Sequence, residues 1–467
     1  MNEIAPQVGL FDRALRRIAN VWREMGASVG READDSIAGQ MRACLAGRGG
    51  EVSARNRAAK LAQTYLLLDD AGRREFLRTL ASFDVDAKAL NTAYEAMRGA
   101  DDPAKLVRAR ADLRRVLEPP RTRLLTQFAS IPDGVKFLVD LRASLLDLGR
   151  DDPHLAGLEY DLKHLLEHWF DLGFLELQRI DWSSPALLLE RLAGYEAVHE
   201  IRSWRDLKNR LDSDRRCYAF FHPRMKLEPL IFVEVALVSG LANNVQVLLD
   251  PKSPGADPHA ADTAIFYSIS NCQRGLAGIS FGNFLIKQVV ELLSQEFRNI
   301  KTFATLSPIP GFRRWLDARL ADPDGGALLP EEEAANLLKA LPGEKTAQAT
   351  LAAALKRRGW QRDPVVSKAL EPALTRLCGR YLLLESNPHK PGRALDPVAH
   401  FHLSNGARIE RLNMFGDLSE RGVKESATLM VNYLYDPAKI EAYHEDYAGE
   451  GKRNASTSVR RLARGWN

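Results

Sequence analysis

The chain has 467 residues, enough for two or three domains that each bury a core of their own. With 45% hydrophobic and 27% charged residues it has an ordinary globular composition, and no apolar run is long enough to span a bilayer. Sixty-five basic against 61 acidic residues leave a net charge of +4, which makes no case for a nucleic-acid binder but leaves room for a local basic pocket.

Residues 1–168 read as entirely helical. Phe11, Leu15, Ile18, Val21, Trp22 and Met25 form one amphipathic stripe. Val135, Leu138, Leu141, Leu145 and Leu148 form a second, and Leu158, Leu162, Leu165, Trp169 and Leu172 a third. Breaks fall at Pro119-Pro120 and at Asp151-Asp152-Pro153. The charged run Lys105 to Arg115 lacks interleaved aromatics and reads as a solvated helix face. This half shows no strand and no chemistry, as a packing or assembly domain would.

From Leu172 to Leu211 two helices lead into a second domain, with Ser184-Pro185 as cap and first helical residue, and Ser203-x-x-Asp206 as a capping box. Then the period changes. CYAFFH and PLIFVEVAL read as paired strands across Pro223–Pro229, and AIFYSIS as a later neighbour. The stretch from Asn243 to Asp262, rich in Pro, Gly and Asp, reads as a loop that could flank a ligand. QRGLAGISFG, with Gly275, Gly278 and Gly282, feeds a helix carrying Phe284, Leu285, Val289, Leu292 and Leu293, and KTFATL returns as a strand. A glycine-rich turn before a helix gathers free N–H groups and can receive phosphate, although plain turn chemistry gives the same pattern. It is neither a Walker loop nor a G-x-G-x-x-G fingerprint.

Residues 320–375 return to helix. RYLLLES, HFHLSN and ARIERLN are expected as strands, and SATLMVNYLY as either helix or strand. Between the first two, NPHKPGRAL is a basic loop whose Lys390 and Arg393 could meet a phosphate or simply face solvent. The fold class is α+β, a helical domain (1–168) followed by a mixed sheet with helices on it (169–467).

Four strings, FHPRMKLEPLIFVEVAL, the stretch from AIFYSIS to LSPIPGF, DPVAHFHLSNGARIERLN and LMVNYLY, closely resemble malonyl-CoA decarboxylases and follow that family's order. The resemblance implies a catalytic domain similar to the GNAT-type acetyltransferases and the conversion of malonyl-CoA to acetyl-CoA and CO2. It further implies a homo-oligomer, a tetramer built as a dimer of dimers through the helical domain. No cofactor is needed in principle, because the thioester is itself the electron sink.

Within the resemblance the catalytic serine of L-S-P-I-P-G-F falls on Ser307, the catalytic histidine of F-H-L-x-N-G-A on His402, and a nearby tyrosine on Tyr435. The CoA-binding segment falls on Ala277, Gly278, Ile279, Ser280, Phe281, Gly282 and Asn283. Animal members place a glutamate where this chain has Ser280, so an acidic partner is not expected there. From the residues alone, Ser307 could merely end a strand and Tyr435 could be an ordinary buried tyrosine. His400 and His402 alternate and would share one face of a strand, as two metal ligands might be arranged, but no third ligand lies nearby and no metal is expected. His402, neutral or singly charged near pH 7, is expected to deliver a proton to the enolate carbon, with Ser307 orienting the carboxylate.

Two other functions compete. One is an acyl-CoA-dependent acyltransferase of the GNAT type; the other is a silent CoA-binding assembly protein. The missing G-x-S-x-G elbow argues against a serine hydrolase. Cys44, Cys217, Cys272 and Cys378 are scattered with no C-x-x-C, which fits a reducing compartment. Arg13, Arg16, Arg17 and Arg23 would suit a transit peptide but Glu3, Asp12 and Glu24 would not, and the final GWN is no peroxisomal signal, so the cytoplasm is the expected location.

Overall fold

The computed structural model describes residues 19–27, 34–47, 50–252, 255–279, 285–322 and 326–464. The expected stripe at Phe11, Leu15 and Ile18 lies outside the described residues, as do Ser280, Phe281, Gly282, Asn283 and Phe284.

The first half is helical: α1 (19–27), α2 (Ile37–Leu45), α3 (Gly50–Leu67), α4 (Asp70–Ala81), α5 (Ala87–Arg98), α6 (Pro103–Leu117), α7 (Pro120–Ala129), α8 (Gly134–Leu148) and α9 (Ala156–Trp169). Local chemistry sets many of the ends. Ser36, Asp69, Asp86 and Asp102 each accept an N–H of the first turn that follows. The expected breaks fall where the prolines stand, between α6 and α7 and between α8 and α9. Helices α7 to α9 supply Leu124, Phe128, Leu138, Leu141, Leu158 and Leu162 to one core, with Trp22, Tyr65 and Phe76 packed edge-on around Phe137 and one another. The Lys105–Arg115 run is the outer surface of α6, as its composition implied.

The second half is built on β1 (Glu176–Ile180), α10 (Ala186–Tyr195), α11 (Trp204–Arg210), β2 (Arg215–Phe221), β3 (Pro229–Val238), α12 (Val245–Leu248), β4 (Thr263–Asn271), α13 (Leu285–Glu296), β5 (Thr302–Thr305) and β6 (Ser307–Pro308). It continues through α14 (Phe312–Ala321), α15 (Glu331–Ala340), α16 (Ala347–Lys356), α17 (Pro364–Leu384), α18 (Pro397–Ser404), β7 (Arg408–Asn413), α19 (Glu420–Ser426), β8 (Met430–Leu434), α20 (Ile440–Glu450) and α21 (Thr457–Leu462). The strands form one sheet in the order β1-β2-β3-β4-β5-β8-β6, with β7 also on β8. Only β4 and β5 run parallel, joined by the α13 crossover. One sheet face packs on α13 and the helical domain through Ile231, Val233, Val235 and Phe266. The other packs on α10 and α11 through Phe221 and Phe232, and on α12 through Ala236, Ile265 and Leu306. The α+β class with a mixed sheet therefore holds.

Several local expectations do not. HFHLSN is the body of α18, not a strand: Asp396 caps it by accepting from the N–H groups of Val398 and Ala399, and Pro397 stands at its first position. RYLLLES closes the 21-residue helix α17, a reminder that short apolar runs do not separate period 2 from 3.6. ELQRI, inside the stretch read as helices, is β1, paired along its whole length with β2. Ser184 does not cap α10; its hydroxyl turns back to accept from Asp181 N–H, and Pro185 offers no cap bond. Ser203 accepts from Asp206 N–H as a capping box requires, but Asp206 accepts from Arg202 N–H instead of closing the box. SATLMVNYLY resolves to strand β8.

Candidate active site

The site lies where β4 and β5 part. Their ladder runs from Thr263–Thr302 to Phe266–Thr305, and Leu306 N–H still donates to Phe266 O (3.0 Å). After that the chain swings across to β8, where Ser307 faces Val431 and Pro308 faces Met430. Tyr267 to Asn271 run on, paired only with β3 among the described residues. A fork opens at the carboxyl ends of two parallel strands, the place where open α/β sheets admit ligands. The glycine-rich turn after β4 stands at the same end of the sheet.

Ser307 sits in the fork, 6% exposed. Its hydroxyl donates to Thr305 Oγ1 (2.8 Å), which also accepts from Tyr433 N–H (3.1 Å). With its own proton so engaged, Ser307 Oγ is left as an acceptor toward His402 Nε2, 3.1 Å away. That assigns the proton of the neutral imidazole to Nε2 and leaves Nδ1 bare to accept from Tyr435 O–H at 2.8 Å. The result is one directed chain from Tyr435 through His402 and Ser307 to Thr305.

Two elements hold the ring. Tyr433 on β8 and Tyr435, one residue past its end, flank Leu434 and so share a face. Tyr435 grips Nδ1, while the Tyr433 ring stacks on the imidazole with centroids 4.5 Å apart and planes 24° from parallel. His402 itself projects from the last turn of α18. Burial drives its pKa from 6.5 down to about 3, so the free site holds a neutral imidazole at pH 7. Burial likewise holds the Tyr435 phenol well above its ordinary value.

Helix position also corrects the expectation for His400. Two residues apart on a helix, the two imidazoles leave on different sides, and His400 Nδ1 meets Tyr447 Oη at 2.9 Å instead. Among the described residues no group of three or more His, Cys, Asp or Glu is placed to hold a metal ion.

Three contributors went unread in the sequence. Asp396, fully buried, caps α18 and reaches across to Gly311 N–H (3.4 Å) and Tyr381 O–H (3.4 Å), tying the histidine helix to the loop after Ser307. Burial raises its carboxyl to about 6 against the N–H donors that favour its charge. The Asp-Pro pair before HFHLSN was the available signal. Thr305, two residues before the serine, and Tyr433 carried no signal beyond their place in a strand. Of the expected CoA segment, Ala277, Gly278 and Ile279 form the described part of the turn, where Ile279 N–H donates to Leu276 O (3.0 Å).

Fold and site define an α+β protein with a buried Ser–His–Tyr hydrogen-bond chain at the fork of a mixed sheet. Comparison with known proteins narrows this. Residues 83–170 match the malonyl-CoA decarboxylase N-terminal domain and residues 173–467 the malonyl-CoA decarboxylase C-terminal domain. The mitochondrial malonyl-CoA decarboxylases of Anser anser anser and Rattus norvegicus are 37% and 35% identical, over 87% and 84% of this chain and 83% and 82% of theirs. The crystal structures of malonyl-CoA decarboxylase from Rhodopseudomonas palustris and Agrobacterium vitis are 43% and 40% identical. They superpose with TM-scores of 0.81 and 0.82 over 91% of this chain and 99% of each of those chains. The chain belongs to the malonyl-CoA decarboxylase family.

Proposed function

We propose that the chain converts malonyl-CoA to acetyl-CoA and CO2, with Ser307, His402 and Tyr435 as its catalytic residues. The observation that carries the assignment of roles is the unbroken hydrogen-bond chain Tyr435–His402–Ser307 at the fork. Ser307 orients the malonyl carboxylate out of the thioester plane. The bond from the carboxyl carbon to the methylene carbon breaks, its electron pair passes into the thioester carbonyl as an enolate, and CO2 leaves. A proton then goes to the methylene carbon from His402 Nε2, directly or through Ser307 Oγ.

The reaction consumes one proton, and a neutral imidazole in a dry cleft is a poor source of it. The substrate supplies the remedy. A carboxylate entering the same low-dielectric space favours imidazolium, so substrate and proton enter together. Tyr435 follows either state, donating to bare Nδ1 or accepting from Nδ1–H. Backbone and hydroxyl donors aimed at the enolate oxygen would add the electrostatic stabilisation on which such reactions depend most.

The test is incubation of malonyl-CoA with the protein alone, where CO2 and acetyl-CoA should accumulate in equal amounts without an acceptor and EDTA should change nothing. Free CoA appearing only when an amine is added would replace this reading by the acyltransferase one. Ser307→Ala and His402→Asn should each lower kcat by about 10²–10⁴-fold with the fold intact. Unchanged kcat in both would end the assignment.

The helical half, 1–168, is proposed as the assembly domain of a homo-oligomer, a tetramer. In support, the α5–α6 hairpin buries only Ala93 and leaves Tyr94, Val107 and Leu117 exposed. Light scattering that returned a monomer would overturn this. The cytoplasm is proposed as the compartment; Cys217, Cys272 and Cys378 are free and buried, as a reducing environment allows, and no described helix is long and apolar enough to cross a membrane.

A further inference from the structure

The helical domain reaches the glycine-rich turn with its own side chains. Arg142 of α8, 2% exposed, donates through Nη1 to Gly275 O (2.6 Å) and Ala277 O (2.9 Å). Its other edge is held by Glu159 of α9, at 2.8 Å from Nη2. Asp147 of α8 pairs with Arg274, and the α8 backbone itself abuts the turn: a Cβ on Gly275 would stand 1.7 Å from Val139 O. Gly275 is thus a glycine for the sake of the helical domain, not of a ligand.

Clamping carbonyls fixes amides. A trans peptide points its C=O and the next N–H in opposite directions. With Ala277 C=O turned to Arg142, Gly278 N–H faces away from α8. Gly278 has φ of 77°, and a Cβ built on it would lie 3.8 Å from Cε of Lys163 on α9. Among the described residues the Lys163 ammonium pairs with Glu167 at 3.3 Å, both partners half-exposed, a weak restraint. Burying a guanidinium is costly, and two domains can be docked as well by apolar side chains. Holding two carbonyls in one direction is what the guanidinium adds.

We propose that the helical domain is part of the substrate site: Arg142 is a positioning residue that keeps the Gly278 N–H turned outward to receive an anion, while the amides of Leu276, Ala277 and Ile279 close the turn itself, and Lys163 offers its charge to the phosphates. This rests on the reading that the turn takes the nucleotide half of a CoA thioester. The experiment compares steady-state kinetics on malonyl-CoA and on malonyl-pantetheine, which keeps the reacting end but has no phosphate. Arg142→Met should raise KM for malonyl-CoA about 10- to 100-fold, with kcat within about twofold and no change on malonyl-pantetheine. Arg142→Lys should recover part of the loss. Lys163→Ala, at a half-exposed position that puts folding at no risk, should raise KM for malonyl-CoA about 3- to 10-fold and weaken its dependence on NaCl. Equal losses on both substrates, or none on either, would overturn the proposal. Wild-type protein that turned over both substrates equally well would show instead that the turn does not hold the nucleotide, and the underlying reading would fall first.

Discussion

Two buried polar clusters flank the same sheet, and they are built on opposite plans. At the fork, the described groups that hydrogen-bond or stack within the chain are neutral: Thr305, Ser307, His402, Tyr433 and Tyr435, with burial keeping the imidazole uncharged. Under α10 and α11, on the other side of β3, the cluster is made of charges that answer one another. Arg210 reaches Glu234 (3.1 Å) and Asp206 (3.1 Å), and Glu196 accepts from Ser268 O–H (2.7 Å) and His199 N–H (2.7 Å). Burial pushes the Glu234 carboxyl up, and the Arg210 guanidinium beside it pulls it back toward the charged form. The charged cluster ties its groups chiefly to one another, although Glu234 Oε1 and His199 Nε2 have no hydrogen-bond partner among the described residues. The neutral one lacks a charge, which the proposed substrate would bring.

Substitution separates the two plans at once. His402→Asn should cost about 10²–10⁴-fold in kcat and leave the thermal midpoint almost where it was, whereas Arg210→Met, by stranding Glu234, should cost about 3–5 kcal/mol in urea unfolding while the folded fraction keeps its kcat. A His402 variant that unfolds, or an Arg210 variant that is stable, would erase the distinction.

The pH responses sharpen it. His402 has a folded pKa below its unfolded value, so its contribution to stability is present above 6.5 and lost as pH falls from there toward about 3. The slope is at most about 1.4 kcal/mol per pH unit from this group, and His402→Asn should flatten it. In the same range kcat/KM should show no inflection near 6.5 from His402, because the free enzyme does not protonate it there. Isothermal titration of malonyl-CoA in buffers of different ionisation heat should detect proton uptake at pH 7. A bell with its acid limb at 6.5, and no uptake, would mean the cleft is wetter than its burial implies.

Tyr435→Phe makes the smallest cut. It removes the donor to Nδ1 but leaves the ring of Tyr433 stacked on the imidazole. A loss of about tenfold in kcat, with KM unchanged, is expected for one hydrogen bond in a buried chain.

The strings around Ser307 and His402 pointed to the pair that the fold brings together, and the β-branched and aromatic runs CYAFFH, PLIFVEVAL and AIFYSIS marked the central strands. These signals are local: a strand's period and a long contiguous string are written in neighbouring residues. The sequence misled where a short apolar run fits two periods, as in HFHLSN and RYLLLES. It was silent where the partner is far along the chain. Nothing near residue 142 announces that a guanidinium there will hold the carbonyls of residues 275 and 277, and nothing near 402 tells which tautomer Thr305 and Tyr435 impose on it.

By itself, then, the order of residues determined the class of the fold, the hydroxyl and imidazole proposed to react, and the place of the glycine-rich turn. Tertiary structure alone decided that the imidazole is neutral, that it rides on a helix beside a fork in the sheet, and that the helical half reaches the turn. The reason is physical: propensity and pattern act over a few residues, whereas desolvation and hydrogen-bond direction depend on what the folded chain brings within a few ångströms.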